Sequence, residues 1–247
     1  MLLMRNFSLA LIGPLLVLLA WEAIVRIFAV PVFLLPAPSA IAGKIATDLP
    51  SLADGLAMTL MEASVGYLIG TVIALVLAIL FVLYPRLERV ALPALVALNS
   101  VPVVAFAPVA LLWFGSGPLS KIAMVTIAVG FAVFVNAHQG LRSVDESAAN
   151  LLRSFGAGPL RQMALLHLPA ALPSIMNGLR VAVVRSMIIA IVAEMLGASK
   201  GLGWTIFEAT QRVDFLHVWA AIAIASIASM AWYGVVNWLD ERYVFWK

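Results

Sequence analysis

The sequence predicts an all-α membrane protein with about six transmembrane helices. Of its 247 residues, 64% are hydrophobic and only 11% are charged, and the mean hydropathy is +1.09. A soluble domain carries roughly 25% charged residues, so a chain this apolar cannot keep its surface in water. The length accommodates about six spans of ~20 residues plus loops. We therefore expect one domain over residues 1–247, with its core at about 56–240.

The first two predicted spans cover residues 7–28 and 56–84. The first is too long for the apolar part of a signal peptide, and no Ala-x-Ala cleavage site follows it. Between the spans, several prolines break the chain, and residues 39–49 predict a short amphipathic helix on the membrane surface. Small residues recur at every fourth position of the second span, which favours close packing within the chain or between subunits. They are Gly66, Gly70, Ala74 and Ala78.

The third predicted span, residues 90–114, is interrupted by prolines and has Asn99-Ser100 in its middle. Interior prolines free backbone carbonyls, which must be satisfied by protein or by a water-filled cavity. The remaining predicted spans are residues 121–141, 174–196 and 217–239, and residues 198–216 form a second surface segment.

Basic residues predict the orientation. With the N-terminus in the cytoplasm and six spans, ten lysines and arginines fall on the cytoplasmic side and five on the other, as the positive-inside rule requires. We expect both termini in the cytoplasm. The ten cytoplasmic residues are Arg5, Arg86, Arg89, Arg142, Arg153, Arg161, Arg180, Arg185, Arg242 and Lys247. We expect Arg180 and Arg185 to lie about one turn above the loop.

A polar, basic loop at residues 142–173 separates the fourth span from the fifth. Acidic and capping residues from Asp145 favour a first helix that runs to Ser154. Gly156 tolerates the left-handed backbone that ends a helix, and Pro159 suits the first position of a second helix.

We expect two prolines to close the second helix of this loop before the fifth span begins. These are Pro169 and Pro173. Apolar residues on a cytosolic loop either occupy a groove on a partner or pack on the chain's own helices. Physical arguments alone favour these two alternatives about equally. The residues concerned are Leu151, Leu152, Phe155, Leu160 and Met163.

Other classes of protein find little support in the sequence. The chain has no cysteine, and its three histidines, His138, His167 and His217, are widely spaced. No H-E-x-x-H or nucleophile motif is present, so we expect no catalytic residue, no metal site and no enzymatic activity. No phosphate-binding G-x-x-x-x-G-K-[ST] loop occurs. No basic cluster with interleaved aromatic residues points to nucleic acid.

The loop resembles the signature loop of ABC importer permeases, Glu-Ala-Ala-x3-Gly-x9-Ile-x-Leu-Pro. Gly156 matches the glycine, Leu166 takes the isoleucine position and Leu168-Pro169 matches Leu-Pro. Asn150-Leu151-Leu152 stands in place of Glu-Ala-Ala, which removes any salt bridge from the family's glutamate. The resemblance covers nearly the whole chain. Further short matches resemble the nitrate, sulfonate and taurine branch, for example Leu35-Pro-Ala-Pro-Ser39, Trp113-Phe-Gly, Gly178-Leu-Arg180 and Ala193-Glu194-Met-Leu-Gly197 with Gly201-Leu-Gly203.

This resemblance implies the MetI-like type I permease fold, a homodimer in the bacterial inner membrane, and import of a small, anionic solute such as a sulfonate, taurine or nitrate. It also implies two cytosolic ATPase subunits, which would bind ATP and Mg²⁺ in place of any cofactor on this chain, and a periplasmic or lipid-anchored solute-binding protein. The loop would couple the permease to the ATPase. The coupling residues would be Asn150, Leu151, Leu152, Arg153, Phe155, Gly156, Leu160, Leu166, Leu168 and Pro169.

Polar groups within the spans are candidates for the solute path. We select Asn99, Ser100, Asn136 and Glu194. Hydrogen bonding between helices is the alternative for the asparagines, and structural pairing is the alternative for Glu194. Arg180 and Arg185 could contact loop carbonyls, lipid phosphates or a departing anion. Two other functions stay open: a permease of the same family for a vitamin precursor or aromatic acid, and a secondary transporter or channel that works without ATP.

Overall fold

A computed structural model describes residues 2–244, with side chains from residue 12 onward. The basic residues Arg5 and Lys247, which entered the orientation count, have side chains outside this description. The described residues form helices joined by short non-helical connections, with no β-strand among them. The order is α1 Leu2–Ile27, α2 Pro38–Leu83, α3 Pro85–Asn99, α4 Ala107–Phe114, α5 Pro118–Arg142, α6 Glu146–Ser154, α7 Pro159–Gln162, α8 Leu168–Gly197, α9 Leu202–Gln211 and α10 Phe215–Tyr243. A 3₁₀ turn, Val103–Phe106, precedes α4, and a π turn, Met163–His167, precedes α8.

Within the described residues, α2, α5 and α10 are each long and apolar enough to cross a membrane. Two bent pairs bring the number of such spans to five: α3 with the turn and α4, bent by 88°, and α7–α8 with α9, bent by 47°. The third and fifth predicted spans are thus found as bent elements. The predicted surface helix at residues 39–49 is wrong as a separate element, because α2 runs through Pro50 without a break.

The core of the fold lies where α2, α5 and α8 pack together. A Cβ built on Gly66 would lie 2.6 Å from Val125 Cβ, and one on Gly70 would lie 2.7 Å from the Thr126 carbonyl oxygen. Ala74 and Ala78 are fully buried in the same core. Only small side chains permit this approach of two helices. The four-residue repeat of small side chains therefore packs within the chain.

Helices α5 and α8 approach equally closely over their length. A Cβ on Gly140 would lie 2.7 Å from Ser174 Cβ, and one on Gly178 would lie 2.8 Å from Asn136 Cβ. Since sequence numbers rise along one helix as they fall along the other, the two helices are antiparallel. Helix α10 covers α2 and α8, with Trp232 against Tyr67 at a ring distance of 5.4 Å.

Candidate coupling loop and solute path

The first half of the loop has the predicted helix and glycine end. The Asp145 carboxylate accepts a hydrogen bond from the Ser147 N–H at 3.1 Å and caps α6. At the other end, the Gly156 N–H donates to the Arg153 carbonyl at 2.9 Å and the Ala157 N–H to the Leu152 carbonyl at 3.0 Å. These two bonds form a Schellman motif, which requires the left-handed backbone that Gly156 supplies with a φ of 77°.

The second half of the loop differs from the prediction. Pro169 and Pro173 do not close a helix, because α7, the π turn and α8 form one continuous helical segment through both prolines. Local π adjustments satisfy backbone groups that prolines free in membrane helices, and a π turn ends at His167, two residues before Pro169. The His167 Nδ1 lies 2.7 Å from the Leu141 carbonyl oxygen, which fastens this turn to the end of α5.

Several large apolar side chains of the loop are exposed. Leu151, Phe155 and Leu160 are 59%, 77% and 73% exposed. In contrast, Met163 is buried in the main core, and Leu152 is half-buried. The apolar residues of the loop therefore serve both roles that the sequence left open, since some pack on the chain itself and others stay uncovered.

The remaining candidate coupling residues differ in how far they are exposed. The Asn150 Oδ1, at the start of the departure from the family pattern, accepts a hydrogen bond from Arg153 Nη1 at 3.2 Å. Leu166 and Leu168 are half-buried, and Leu168 packs on the main core, while Pro169 is exposed.

An ion pair ties the start of the loop to α3. Arg142 Nη1 donates to the Glu88 Oε1 at 2.5 Å, and Glu88 is buried although it lies at a helix N-terminus. His138 Nε2 lies 3.2 Å from the same oxygen, without the geometry of a hydrogen bond. Helix α5, which leads into the loop, is thus held to α3 of the broken third span at one end of the bundle.

The polar candidates for the solute path do not come together. Asn99 lines a mainly apolar cavity of about 280 Å³ between α2, α3 and α5. Ser100 is exposed, and its hydroxyl donates to the Val96 carbonyl at 3.0 Å. Asn136 faces Gly178 in the contact of α5 and α8, where its amide donates to the Ala132 carbonyl at 2.9 Å. The position of Asn136 corresponds to helix packing.

Glu194 is fully buried in a hydrogen-bond network at the other end of the bundle from the loop. Its carboxylate accepts from the Thr59 hydroxyl at 2.8 Å and from the Gly203 N–H at 2.6 Å. The Thr59 oxygen in turn accepts from the Leu202 N–H at 2.9 Å. These bonds fix the start of α9 on α2 and α8. Glu194 thus has the structural pairing that was considered as the alternative to a role in the solute path. Its side chain has no exposed surface that a solute could contact.

Two further ionisable residues lie close to this network, Lys121 and Glu62. Neither was chosen as a candidate site residue from the sequence. The Lys121 ammonium is buried and donates to the carbonyls of Ser116 and Gly197 at 2.6 and 2.7 Å, which joins α5 to the end of α8. The Glu62 carboxyl is buried beside that of Glu194. Charged residues inside apolar segments are a signal for such a site. Their joint location depends on the packing of three distant helices.

Arg180 and Arg185 lie farther from the loop than the sequence suggested. They follow Leu168 by 12 and 17 residues on one helix, which corresponds to about 18 and 26 Å. The placement one turn above the loop is therefore wrong, because α8 begins before Pro169. Arg180 Nη1 pairs with Asp240 Oδ2 at 3.2 Å and donates to the Asn237 Oδ1 at 3.2 Å. Without these two arginines, eight basic residues stay in the cytoplasmic count against five.

Comparison with known proteins identifies related sequences over nearly the full length. An ABC transporter permease protein of Haemophilus influenzae is 33% identical over 242 residues, covering 96% of this chain and 99% of the relative. The formylaminopyrimidine transport permease protein ThiX of Halalkalibacterium halodurans is 32% identical over 234 residues, covering 94% and 93%. The taurine transport system permease protein TauC of Escherichia coli is 28% identical over 244 residues, covering 95% and 88%. Other relatives carry the names of sulfonate, nitrate and riboflavin permeases.

The fold is also that of a solved permease. The structure of an amino acid ABC transporter with histidines superposes with a TM-score of 0.65 at 18% identity, covering 81% of this chain and 97% of that one. Residues 66–244 match the family described as binding-protein-dependent transport system inner membrane component. The chain belongs to this family of ABC importer permeases, and its fold is the MetI-like one.

Proposed function

We propose that this permease is the membrane subunit of an ATP-driven importer, and that its loop at residues 142–173 binds a separate cytosolic ATPase subunit. The observation that carries the proposal is the exposed apolar side of α6 and α7, presented on a hydrogen-bonded helix–glycine–helix frame. An amphipathic helix in a partner's groove is a common mode of peptide recognition. Because the His167 contact holds the loop to the end of α5, and the helical segment from Pro159 continues into α8, a movement of the ATPase would reach the membrane helices.

The ATPase would supply both ATP binding and hydrolysis, since the chain itself contains no phosphate-binding loop. A second copy of this chain would complete the solute path, and a solute-binding protein would deliver the solute to the end of the bundle near Glu194. We place the loop and both termini in the cytoplasm and the bundle in the bacterial inner membrane. The positive-inside count supports this orientation.

For the solute, we propose a small organic or inorganic anion of the sulfonate, taurine or nitrate type. The names of the taurine, sulfonate and nitrate relatives support this class. The ThiX relative, at 32% identity over 94% of the chain, favours a vitamin precursor as the second candidate. Thermal-shift measurements on the solute-binding protein of this importer, with taurine and formylaminopyrimidine as probes, separate the two candidates.

The ATPase contact is tested by co-purification of the ATPase with the Phe155→Asp variant. We expect the ATPase to be lost, because a charge on this 77% exposed apolar side chain would be desolvated in a groove. Val213→Asp is a matched control, since Val213 is 69% exposed and lies between α9 and α10 at the opposite end of the bundle. Normal recovery of the ATPase with Phe155→Asp would refute the contact. Solute uptake by the permease without an ATPase would instead support a secondary transporter or channel.

A further inference from the structure

Arg185 lies near the middle of the membrane-spanning bundle. Gly178 contacts Val133 and Asn136 of the antiparallel α5, and Arg185 is two helical turns farther along α8. It is therefore level with about residue 128 of α5, close to the centre of Pro118–Arg142. A charge at this depth costs about 2.5–3.5 kcal/mol in lipid, so such residues face a partner or a water-filled cavity.

No partner for Arg185 exists among residues 12–244 of the chain, whereas Lys121 and Arg180 each have one. Lys121 binds three carbonyls, and Arg180 pairs with Asp240. Arg185 is exposed and forms neither a hydrogen bond nor an ion pair with a described residue. Its guanidinium thus retains its donors for a group outside this chain.

The surroundings of Arg185 form an open face instead of a helix contact. Asn177, Val181, Val184 and Ile188 are exposed on the same side of α8. Ile188, one turn beyond Arg185, also lines an open groove of about 440 Å³ between α8 and α10. The same groove is lined by Ser226 and Ser229, which are hydroxyl-bearing residues in the middle of α10. Arg185 itself lies beside this groove, one turn before Ile188, on a face of α8 that the described chain leaves open. A charged residue at this depth faces a partner or a water-filled cavity, and the open face leaves room for water.

We propose that Arg185 lies in the water-filled solute path and binds the oxyanion group of the solute. This inference rests on the proposed anion import and names a residue that acts in it. A guanidinium offers two parallel N–H donors to a sulfonate or carboxylate, and it stays charged at any physiological pH. One arginine from each of two copies would make the path selective for anions.

The test uses cysteine labelling, for which the chain is suited because it contains no cysteine. Val181→Cys places a thiol on the exposed face one turn before Arg185, in vesicles that contain the permease with its ATPase. Two water-soluble methanethiosulfonate reagents of similar size serve as probes, one a sulfonate anion and the other a quaternary ammonium cation. We expect both to react, the anion faster. Val183→Cys, at a fully buried position, is the unreactive control, and Ser147→Cys, in the exposed loop, is the reactive one.

The decisive comparison adds Arg185→Gln to Val181→Cys. Coulomb interaction with one charge about 6 Å away in water favours the anion over the cation about tenfold, so the ratio of the two rates should fall by that factor. An unchanged ratio, or a Val181→Cys thiol that neither reagent reaches, would overturn the inference. Loss of the ATPase from vesicles of the unsubstituted chain would instead count against the proposed function, so the two failures are distinguishable.

Discussion

The Thr59 hydroxyl donates a hydrogen bond to the Glu194 carboxylate at 2.8 Å, across 135 positions of the sequence. The same carboxylate accepts from the Gly203 N–H, and the Thr59 oxygen accepts from the Leu202 N–H. One buried side chain of α8 and one of α2 thus hold the first turn of α9. This arrangement gives the Glu-Met-Leu-Gly and Gly-Leu-Gly motifs a common structural reason, since the carboxylate needs the backbone donors that the glycine turn presents.

Glu194→Gln should destabilise the protein. The amide keeps one acceptor oxygen but turns its NH₂ group toward the Gly203 N–H or the Thr59 hydroxyl, which leaves a buried donor unsatisfied at a cost of about 1–3 kcal/mol. The melting temperature in detergent measures this loss. Glu208→Gln is the matched control, because it removes only the surface pair with Arg212 at the same end of the bundle, worth about 0–1 kcal/mol. Equal melting temperatures for the two variants would contradict the prediction.

Gly201→Ala should destabilise more than Gly115→Ala. Both glycines have a backbone that is essentially restricted to glycine, with φ of 108° and 73° and ψ near 180°. Each substitution therefore costs about 1–3 kcal/mol of backbone strain. A Cβ on Gly201 would also lie 2.1 Å from Glu194 Oε1, whereas one on Gly115 meets open space.

Thermal unfolding of these two glycine variants isolates the contribution of the Glu194 network. Since strain is common to both, the difference between their melting temperatures reports the displaced carboxylate. A Gly115→Ala variant as unstable as Gly201→Ala would show that backbone strain alone accounts for the effect.

Local sequence patterns were sufficient for the long apolar helices and for the end of α6, but not for the helix boundaries at residues 39–49 and at Pro169. Apolar length predicted the spans, and Gly156 followed by Pro159 predicted the break between the loop helices, because both signals act over a few residues. Pro169 and Pro173 led to a wrong prediction of a helix end. A π turn and neighbouring helices can satisfy the backbone carbonyls that prolines leave without a donor, so the helix continues. That single error also moved Arg180 and Arg185 toward the cytoplasm, because it started the fifth span several residues too late.

Long-range contacts in the candidate site could not be predicted from local patterns. Thr59 has no unusual neighbours in sequence, and only the packing of α2 on α8 brings it to Glu194. Asn136 was selected as a polar group in an apolar helix, yet the carbonyl of Ala132 four residues earlier satisfies its amide. An asparagine in a span can thus be satisfied by its own helix, and its polarity alone does not distinguish helix packing from a solute path.

Gly156→Ala should weaken ATPase binding, while Gly158→Ala should leave it unchanged. A Cβ at either position meets open space, so neither variant clashes within the chain. Gly156 has a φ of 77°, which costs an alanine about 1–2 kcal/mol, whereas Gly158 has a φ of −69° that any residue adopts. A penalty of this size lowers the population of the coupling conformation roughly fivefold or more. The amount of ATPase retained by each variant during a salt wash measures the effect, and equal retention would refute it.

The buried pair of Arg180 and Asp240 should show strong coupling in a double-mutant cycle. Asp240 is 1% exposed and lies 3.2 Å from the guanidinium. Arg180→Gln or Asp240→Asn breaks this ion pair, and breaking a buried pair by removing one member costs about 3–5 kcal/mol. The double variant removes both charges, so we expect it to cost clearly less than the two single variants together. Arg242→Gln, at an exposed position two residues farther along α10, should have little effect and serves as the control. Additive losses in melting temperature would mean that the two side chains stabilise the fold independently, and would contradict the prediction.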